Sequence, residues 1–302
     1  MKTLLITGHR GLIGRHISPL LEKKGYKIKG IDLKDNNGDI TNSFQLQEAI
    51  SDCHGIIHLA AVSRVIWAEK DPAKCWKTNA LASQSLLKIA AESSLKPWVL
   101  MASSREIYGE QSKLPVHEDA ILRPINIYGA AKYFLEKETF EARNSGINTG
   151  IVRFANVYGC IHDHNDRVLP AFCQSAVKGL PLRIDGFDHL FDFTHIEDTA
   201  RGVLALVEQL DTGEKNLPPI HLLPGIGTTL YEAACYALKS ADSTSKINES
   251  ASREYDVSRF IGNPDRAYEL LGWKAHITPK QGINLLVKAF QSSIEGKTYE
   301  NS

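Results

Sequence analysis

Tyr128 and Lys132, in the run Tyr128-Gly-Ala-Ala-Lys132, are the sharpest chemical signal in the chain. Four residues apart on a helix, they share one face. A free phenol, with a pKa near 10, is a poor base at neutral pH. A neighbouring ammonium, joined by a positively charged nicotinamide ring, would stabilise the phenolate and lower that value. The phenolate can then take a hydroxyl proton while a dinucleotide takes hydride from the same carbon. Tyr-x-x-x-Lys also arises by chance on a surface helix whose lysine snorkels to water, so it needs a partner motif.

The partner is Val99-Leu-Met-Ala-Ser103-Ser104-Arg105-Glu106-Ile107-Tyr108-Gly109. It runs off an apolar segment that reads as a strand. A hydroxyl at the C-terminal edge of a parallel sheet can bond a reacting oxygen and share its proton with Tyr128. Two serines after a strand are also ordinary turn chemistry. Their combination with Tyr128 and Lys132 favours the catalytic reading.

A third constellation stands at the start of the chain, where Lys2–Thr7 is followed by Gly8-His-Arg10-Gly11-Leu12-Ile13-Gly14. Glycines at this spacing, between a strand and a helix, allow a tight turn and close approach of a pyrophosphate to free amides at the helix N-terminus. Asp32 ends the next strand, where a carboxylate accepts from ribose hydroxyls and repels a 2′-phosphate, favouring NAD. Arg10 points the other way, because a guanidinium in the loop can pair with that phosphate, as NADP would require. Asp39, in Gly38-Asp39-Ile40, is either a ligand of the adenine amino group or a turn aspartate.

The elements that must position these residues alternate. Strands are expected at Lys2–Thr7, Lys27–Asp32, Gly55–Leu59, Trp98–Ala102 and Gly150–Phe154, and helices at Leu12–Lys24, Ser43–Ser51, Pro72–Glu92 and Ile127–Ser145. This rhythm specifies an α/β fold of Rossmann type, a doubly wound parallel sheet with helices on both faces. After Gly159 the rhythm breaks. Helices are expected at Arg167–Lys178, Glu197–Leu210, Thr228–Leu238, Pro264–Leu271 and Pro279–Ser292, with short strands at Leu182–Ile184 and Ile220–Leu222. The simplest partition is a dinucleotide-binding domain over 1–159, with 196–222 crossing back to it, and a smaller C-terminal substrate-binding lobe in most of 160–302.

Bulk composition narrows the class. Apolar residues make up 43% and charged residues 23%, ordinary for a globular enzyme. Lys+Arg and Asp+Glu are both 35, so no basic excess points to nucleic acid or an anionic membrane. The apolar run at the N-terminus is cut by Gly8, too short for a signal peptide, and no run approaches a membrane span. The cytoplasm is therefore the expected compartment. Cys53, Cys75, Cys160, Cys173 and Cys235 show neither disulfide nor metal spacing. Cys160, His162, Asp163, His164 and Asp166 crowd one loop, but no second ligand cluster accompanies them, so no metal is expected.

The glycine triplet, the Asp39-Ile40 pair, His58-Leu59-Ala60-Ala61, the Ser104 motif and Tyr128-x-x-x-Lys132 together resemble the extended short-chain dehydrogenases/reductases, in their NAD-dependent epimerase/dehydratase branch. The resemblance implies that Ser104, four before Tyr108, is the catalytic hydroxyl beside Tyr128 and Lys132, with Ser103 on the cofactor side. It lays Ala60 and Ala61 against the cofactor, counts Leu12, Ile13, Ile40, Leu59 and Phe154 among its contacts, and matches Asn79 to a structural asparagine near it. Glu106 falls where dehydratases and decarboxylases of this branch carry a glutamate. Arg105, however, stands where dehydratases of thymidine-linked glucose carry an acid, and it cannot donate a proton usefully. Arg153-x-x-Asn156-Val-Tyr158-Gly159 and Arg253-x-x-Asp256 resemble the substrate side, making Asn156 and Arg253, with Ser104 and Arg105, candidate ligands of a nucleotide sugar. A second diphosphate arginine would precede the Asp192-Phe193 pair, but Phe191 stands there. The implied activity is nucleotide-sugar epimerisation through a transient 4-keto intermediate, in a homodimer. Dehydration or decarboxylation using Glu106, an NADP-dependent reductase and a non-catalytic dinucleotide sensor are the alternatives.

Overall fold

The computed structural model describes residues 1–35, 38–215, 217–253 and 255–299, with side chains described through Ile294. In the first half, the chain runs β1 (Thr3–Thr7), α1 (Leu12–Lys23), β2 (Lys27–Ile31), α2 (Ser43–Ile50), β3 (Gly55–His58), α3 (Val65–Lys70), α4 (Pro72–Trp76), α5 (Ala82–Glu92), β4 (Trp98–Ser104), α6 (Ile127–Asn144) and β5 (Thr149–Phe154). It continues through β6 (Asn156–Tyr158), α7 (Val168–Val177), β7 (Leu182–Asp185), β8 (Leu190–His195), α8 (Ile196–Asp211), β9 (Ile220–Leu222), β10 (Gly227–Thr229), α9 (Leu230–Ser240), β11 (Ile247–Ser250), α10 (Asp265–Leu271) and α11 (Pro279–Tyr299).

The main sheet is six-stranded and wholly parallel, in the order β2-β1-β3-β4-β5-β9. Alternation along β1 shows why both faces must be covered. Leu4 and Ile6 enter one core with Ile17 and Leu21 of α1 and Val203 and Leu206 of α8. Leu5 enters the opposite core with Leu46, Ile50, Leu86 and Leu135 of α2, α5 and α6. The strand order reverses between β1 and β3, which opens a crevice beyond their C-terminal ends. A third core packs α7, α9 and α11 around Phe172, Leu230, Ala233, Ile283 and Val287, together with Ile184 and Phe193 from two small sheets, β11-β7 and β10-β8-β6. Asp198 ties this part to α8: its buried carboxylate accepts from the amides of His276 and Ile277 at 3.0 and 2.8 Å. Among the described residues, no helix is long and apolar enough to cross a membrane.

Several expectations need correction. The Pro72–Glu92 helix is interrupted by a π-turn at Lys77–Leu81, the kind of widening that collects at functional sites. Asn79 sits in it and spends both ends of its amide on the Val62 backbone, at 2.7 and 3.0 Å. The segment expected as a helix from Thr228 starts as β10, and α9 begins only at Leu230. Thr229 and Glu232 form a reciprocal capping box there, a Thr-x-x-Glu signal visible in the sequence. Strands β6, β8 and β11 and helix α3 were not expected. β8 carries Asp192 fully buried in its middle, which breaks the alternation that marks a strand.

Two buried histidines set an acid limit on stability. His58 bonds Thr7 and Ser83, each at 2.8 Å, and His221 bonds the Tyr108 hydroxyl at 2.7 Å. Burial pushes both imidazoles down to about 3, helped by the charge of Lys132 on His58 and of Arg153 on His221. In the unfolded chain both titrate near 6.5. The unfolded state therefore binds more protons between pH 6.5 and 3, and stability falls as the pH drops through that window. Two such groups give a slope of roughly 2.7 kcal/mol per pH unit. Thermal melts from pH 7 to 4.5 are expected to lose Tm steeply below 6.5. A Tm flat to pH 5 would refute the burial of neutral imidazoles.

Candidate active site

The C-terminal ends of the sheet strands open into a cavity of about 1070 Å³ that runs from the glycine loop to the small sheets. That is ample for a dinucleotide with a second ligand beside it. Its floor begins at the turn between β1 and α1. Gly8 holds a φ of +72°, and its amide donates to Ile31 O at 2.7 Å, which folds the loop over β2. Gly11 caps α1 without any side-chain hydrogen bond, so the first amides of the helix remain for a ligand. A Cβ on Gly14 would lie 2.6 Å from Gly8 O, His9 Cα and His9 O. Only glycine lets helix and loop approach this closely, and the result is a cradle for a pyrophosphate.

Gly8, Gly11, Leu12, Ile13 and Gly14 line the cavity beside Leu59, Ala60 and Ala61 from the end of β3. Asp32, Asp39 and Ile40 line its far end. The Asp32 carboxylate accepts from the amides of Arg10 and Lys34 at 3.1 and 3.0 Å. Asp39 is a turn aspartate, accepting from Thr41 N at 2.8 Å, and it also faces the cavity. Arg10 and Asn79 are not among the lining residues. The Arg10 guanidinium is turned to Asp35 at 2.6 Å, and Asn79 shapes the wall indirectly by fixing Val62. The acids Asp32 and Asp35 thus dominate the end of β2, and the one arginine in the loop is already paired. These residues suit the two free ribose hydroxyls of NAD better than a 2′-phosphate.

The opposite wall holds the chemical groups. Ser103 and Ser104 end β4, and the next residues form a single 3₁₀ turn, Arg105–Tyr108, with the Ser104 hydroxyl accepting from Glu106 N at 3.2 Å. Asn126 caps helix α6: its side chain accepts from Gly129 N at 2.8 Å and donates to Glu106 at 2.9 Å. Gly129 makes this junction possible, because a Cβ there would lie 2.5 Å from Glu106 O. Tyr128 is thereby pressed against the Ser104 turn. The two side chains line the same cavity, where the Ser104 hydroxyl pulls against the rise of the phenol's pKa. Lys132, one turn on, is buried, donates to Ala102 O at 2.7 Å and stands 6.0 Å from the Tyr128 ring centre.

The electrostatics differ from the sequence expectation in one respect. Tyr128 is pushed up to about 12, first by burial and then by the Glu106 charge, against the opposing pull of Ser104 and Arg167. The Lys132 ammonium is itself pushed down to about 8 by burial. The protein's own groups therefore leave the phenol protonated at neutral pH. Lowering it requires a further positive charge close to the ring, as an oxidised nicotinamide carries.

Glu106 is committed on both oxygens, to Arg105 at 2.8 Å and to Asn126 at 2.9 Å. Phe154 and Asn156 line the middle of the cavity, and the Asn156 amide nitrogen has no hydrogen-bond partner there. Ser103 likewise has a buried hydroxyl without a partner. Arg253 lines the far side, ion-paired with Asp185 at 3.2 Å and Asp256 at 3.8 Å; Glu254, within that motif, lies outside the described residues. Arg153, by contrast, is internal: Glu136 holds it bidentately at 2.9 and 2.6 Å, and Tyr108 accepts at 2.6 Å.

Sequence reasoning missed four contributors. Asn126 had a legible signal, an asparagine directly before a helical pattern. Arg64, Trp67 and Arg167 did not, because loop and lobe meet only in the fold. Arg64 is ion-paired with Asp166, and Trp67 packs edge-on against His164 at 4.8 Å. The Cys160–Asp166 loop is engaged in these contacts, and among the described residues no group of three or more side chains converges as a metal site.

The chain is similar to known proteins over most of its length. Residues 4–218 match the model of a family described as the NAD dependent epimerase/dehydratase family. A UDP-glucose 4-epimerase of Rhizobium meliloti (strain 1021) is 26% identical over 302 residues, covering 90% of this chain and 92% of the relative. UDP-glucuronic acid decarboxylase 4 of Arabidopsis thaliana is 26% identical over 322 residues, 99% of this chain and 71% of the relative. The crystal structure of UDP-glucose 4-epimerase from Thermotoga maritima with UDP-glucose superposes with a TM-score of 0.89 at 26% identity, covering 97% of this chain and 99% of that one.

Proposed function

The chain belongs to the NAD dependent epimerase/dehydratase family, and from that premise we propose that it is an NAD-dependent nucleotide-sugar epimerase acting at C4 through a transient ketone. The observation that carries the reading is one cavity that joins the Gly8–Gly14 cradle to the Tyr128 phenol and the Ser104 hydroxyl. When bound, NAD⁺ would supply reversible hydride transfer at the sugar's C4, and inversion follows when the 4-ketone turns in the cavity so that hydride comes back to its other face. Tyr128 takes the C4 hydroxyl proton and later gives it back. Ser104 holds the reacting oxygen and shares that proton. Lys132, fixed by the Ala102 carbonyl, keeps positive charge on the same side as the phenol. Asn156 and Arg253 bind the nucleotide end of the substrate, and Ala60 and Ala61, beside the glycine loop, lie with Phe154 against the cofactor.

Epimerisation is favoured over elimination or decarboxylation because Glu106 is held by Arg105 and Asn126 rather than free to act as a base. NAD is favoured over NADP because Asp32 faces the cavity while Arg10 is paired with Asp35. We further propose a homodimer joined through the α4–α5 and α6 face, where Leu81 and Phe140 are exposed; a monomer by sedimentation would overturn that part.

The experiment is a panel of nucleotide sugars incubated with enzyme and NAD⁺ and read by mass spectrometry and NMR. Unchanged mass with a new C4 signal is the expected result. Loss of 18 mass units would replace epimerisation by dehydration, and loss of 44 by decarboxylation. Steady consumption of NADPH with product would replace it by reduction.

A further inference from the structure

Two departures from the family pattern, an arginine at 105 and a phenylalanine at 191, meet in space. The Arg105 guanidinium lies over the Phe191 ring at 4.5 Å, with Phe260 at 5.9 Å. Both Arg105 and Phe191 line the cavity. Arg105 is only 8% exposed, and of its two terminal nitrogens one is paired with Glu106 at 2.8 Å. The other, Nη1, is buried and has no hydrogen-bond partner.

A buried guanidinium N–H without an acceptor is costly, and proteins leave one where a ligand supplies the missing oxygen. We propose that Arg105 is the second cation of the substrate site, binding an anionic oxygen of the nucleotide sugar and replacing, from the end of β4, the cation that β8 lacks at position 191. The inference rests on the nucleotide-sugar reading above. The aromatic rings of Phe191 and Phe260 hold the guanidinium in place at the cavity wall before a ligand binds. Several other cations of the cavity are already paired. Arg64 is paired with Asp166, Arg253 with Asp185 and Asp256, and Lys132 with the Ala102 carbonyl. Arg183 is largely exposed and paired with Asp185.

The anionic oxygen has two sources, the diphosphate or a carboxylate on the sugar. Position favours neither by itself: Arg105 follows Ser104 directly, toward the sugar, while Phe191 stands where the second diphosphate arginine would stand.

The test measures binding of UDP, UDP-glucose and UDP-glucuronate to the NAD-loaded enzyme by calorimetry. Arg105→Met is compared with Arg105→Met/Glu106→Gln, which leaves no unpaired carboxylate, and with Arg105→Met/Phe191→Arg, which returns a cation from β8. A loss of 10-fold or more for all three ligands, restored by the Phe191→Arg pairing, supports the proposal with the diphosphate as the source. A loss confined to UDP-glucuronate supports it with a sugar carboxylate as the source. Equal affinities of wild type and both neutral variants for every ligand would overturn it. Wild type that binds NAD but none of the three ligands would instead sink the nucleotide-sugar reading on which it stands.

Discussion

Tyr128→Phe is expected to lower kcat by roughly 10²- to 10⁴-fold, the usual worth of a positioned proton-transfer group. The substitution removes one oxygen and leaves the ring, so the α6 junction at Asn126 and Gly129 persists. Binding of NAD⁺ and of a nucleotide sugar should change by less than a few-fold. The loss then sits in kcat and not in KM, as for an interaction made chiefly in the transition state. The elevated phenol adds a spectroscopic arm. Near pH 8 a group titrating at about 12 is almost wholly neutral, so the protein alone should show no phenolate absorbance from Tyr128. Addition of NAD⁺ should bring that titration down by whole pH units, and Tyr128→Phe should abolish the change. Lys132 sharpens the sign. Its ammonium, pushed down to about 8 by burial, is lost as the pH rises, so the protein's own support for phenolate weakens in the range where the phenol begins to ionise. A Tyr128→Phe enzyme that keeps full turnover would end the assignment of the phenol as base and favour a dinucleotide sensor.

The sequence was most legible where a local rule and a global one coincide. β1 is five buried residues, Leu4–Ile6 between two threonines, followed at once by Gly8. Tyr128 and Lys132 were legible because a helix fixes their relation whatever the rest of the chain does. Arg105 was legible as a departure and as a candidate substrate ligand, but not in its packing. That its guanidinium stacks on Phe191, 86 residues later in the chain, depends on how β8 passes the end of β4. Glu106 shows the same limit: sequence marked it only as a glutamate at the position used by dehydratases and decarboxylases, and its contacts with Arg105 and Asn126 come from the fold, since no spacing rule connects it to Asn126. The π-turn at Asn79 was hidden because its cause lies outside the helix, in the Val62 backbone that the amide grips. β8 was hidden because a buried carboxylate, Asp192, sits where periodicity wants an apolar side chain. Burial pushes that carboxyl up to about 8, so it enters the core as a neutral acid near pH 7.

Gly14→Val is expected to remove dinucleotide binding while leaving the fold standing. The obstruction is unusual in kind. A Cβ at Gly14 meets three atoms at 2.6 Å, and all three are backbone, so no side chain can swing aside. The N-terminus of α1 must instead lift away from the Gly8–His9 turn. The rest of α1 is anchored by Ile17 and Leu21, both fully buried in the sheet core, so the helix is displaced at its end and not unfolded. What is lost is convergence: the uncapped amides after Gly11 no longer aim at one point, and an anion there loses both their hydrogen bonds and the helix dipole. A loss of 100-fold in NAD⁺ affinity corresponds to about 2.7 kcal/mol, a modest demand for several misdirected amides. Ligand-induced stabilisation reads this without turnover. At NAD⁺ set to 100 times the wild-type Kd, the wild type should gain about 2.7 kcal/mol, visible as a raised Tm, and the variant almost nothing. Far-ultraviolet circular dichroism of the two proteins should coincide. Gly14→Ala, with the same Cβ and no branch, should lie between them and closer to the valine variant, since the clash is already complete at Cβ. A valine variant that binds NAD⁺ as the wild type does would mean that the dinucleotide does not rest on this loop, and the cofactor half of the cavity would have to be assigned anew.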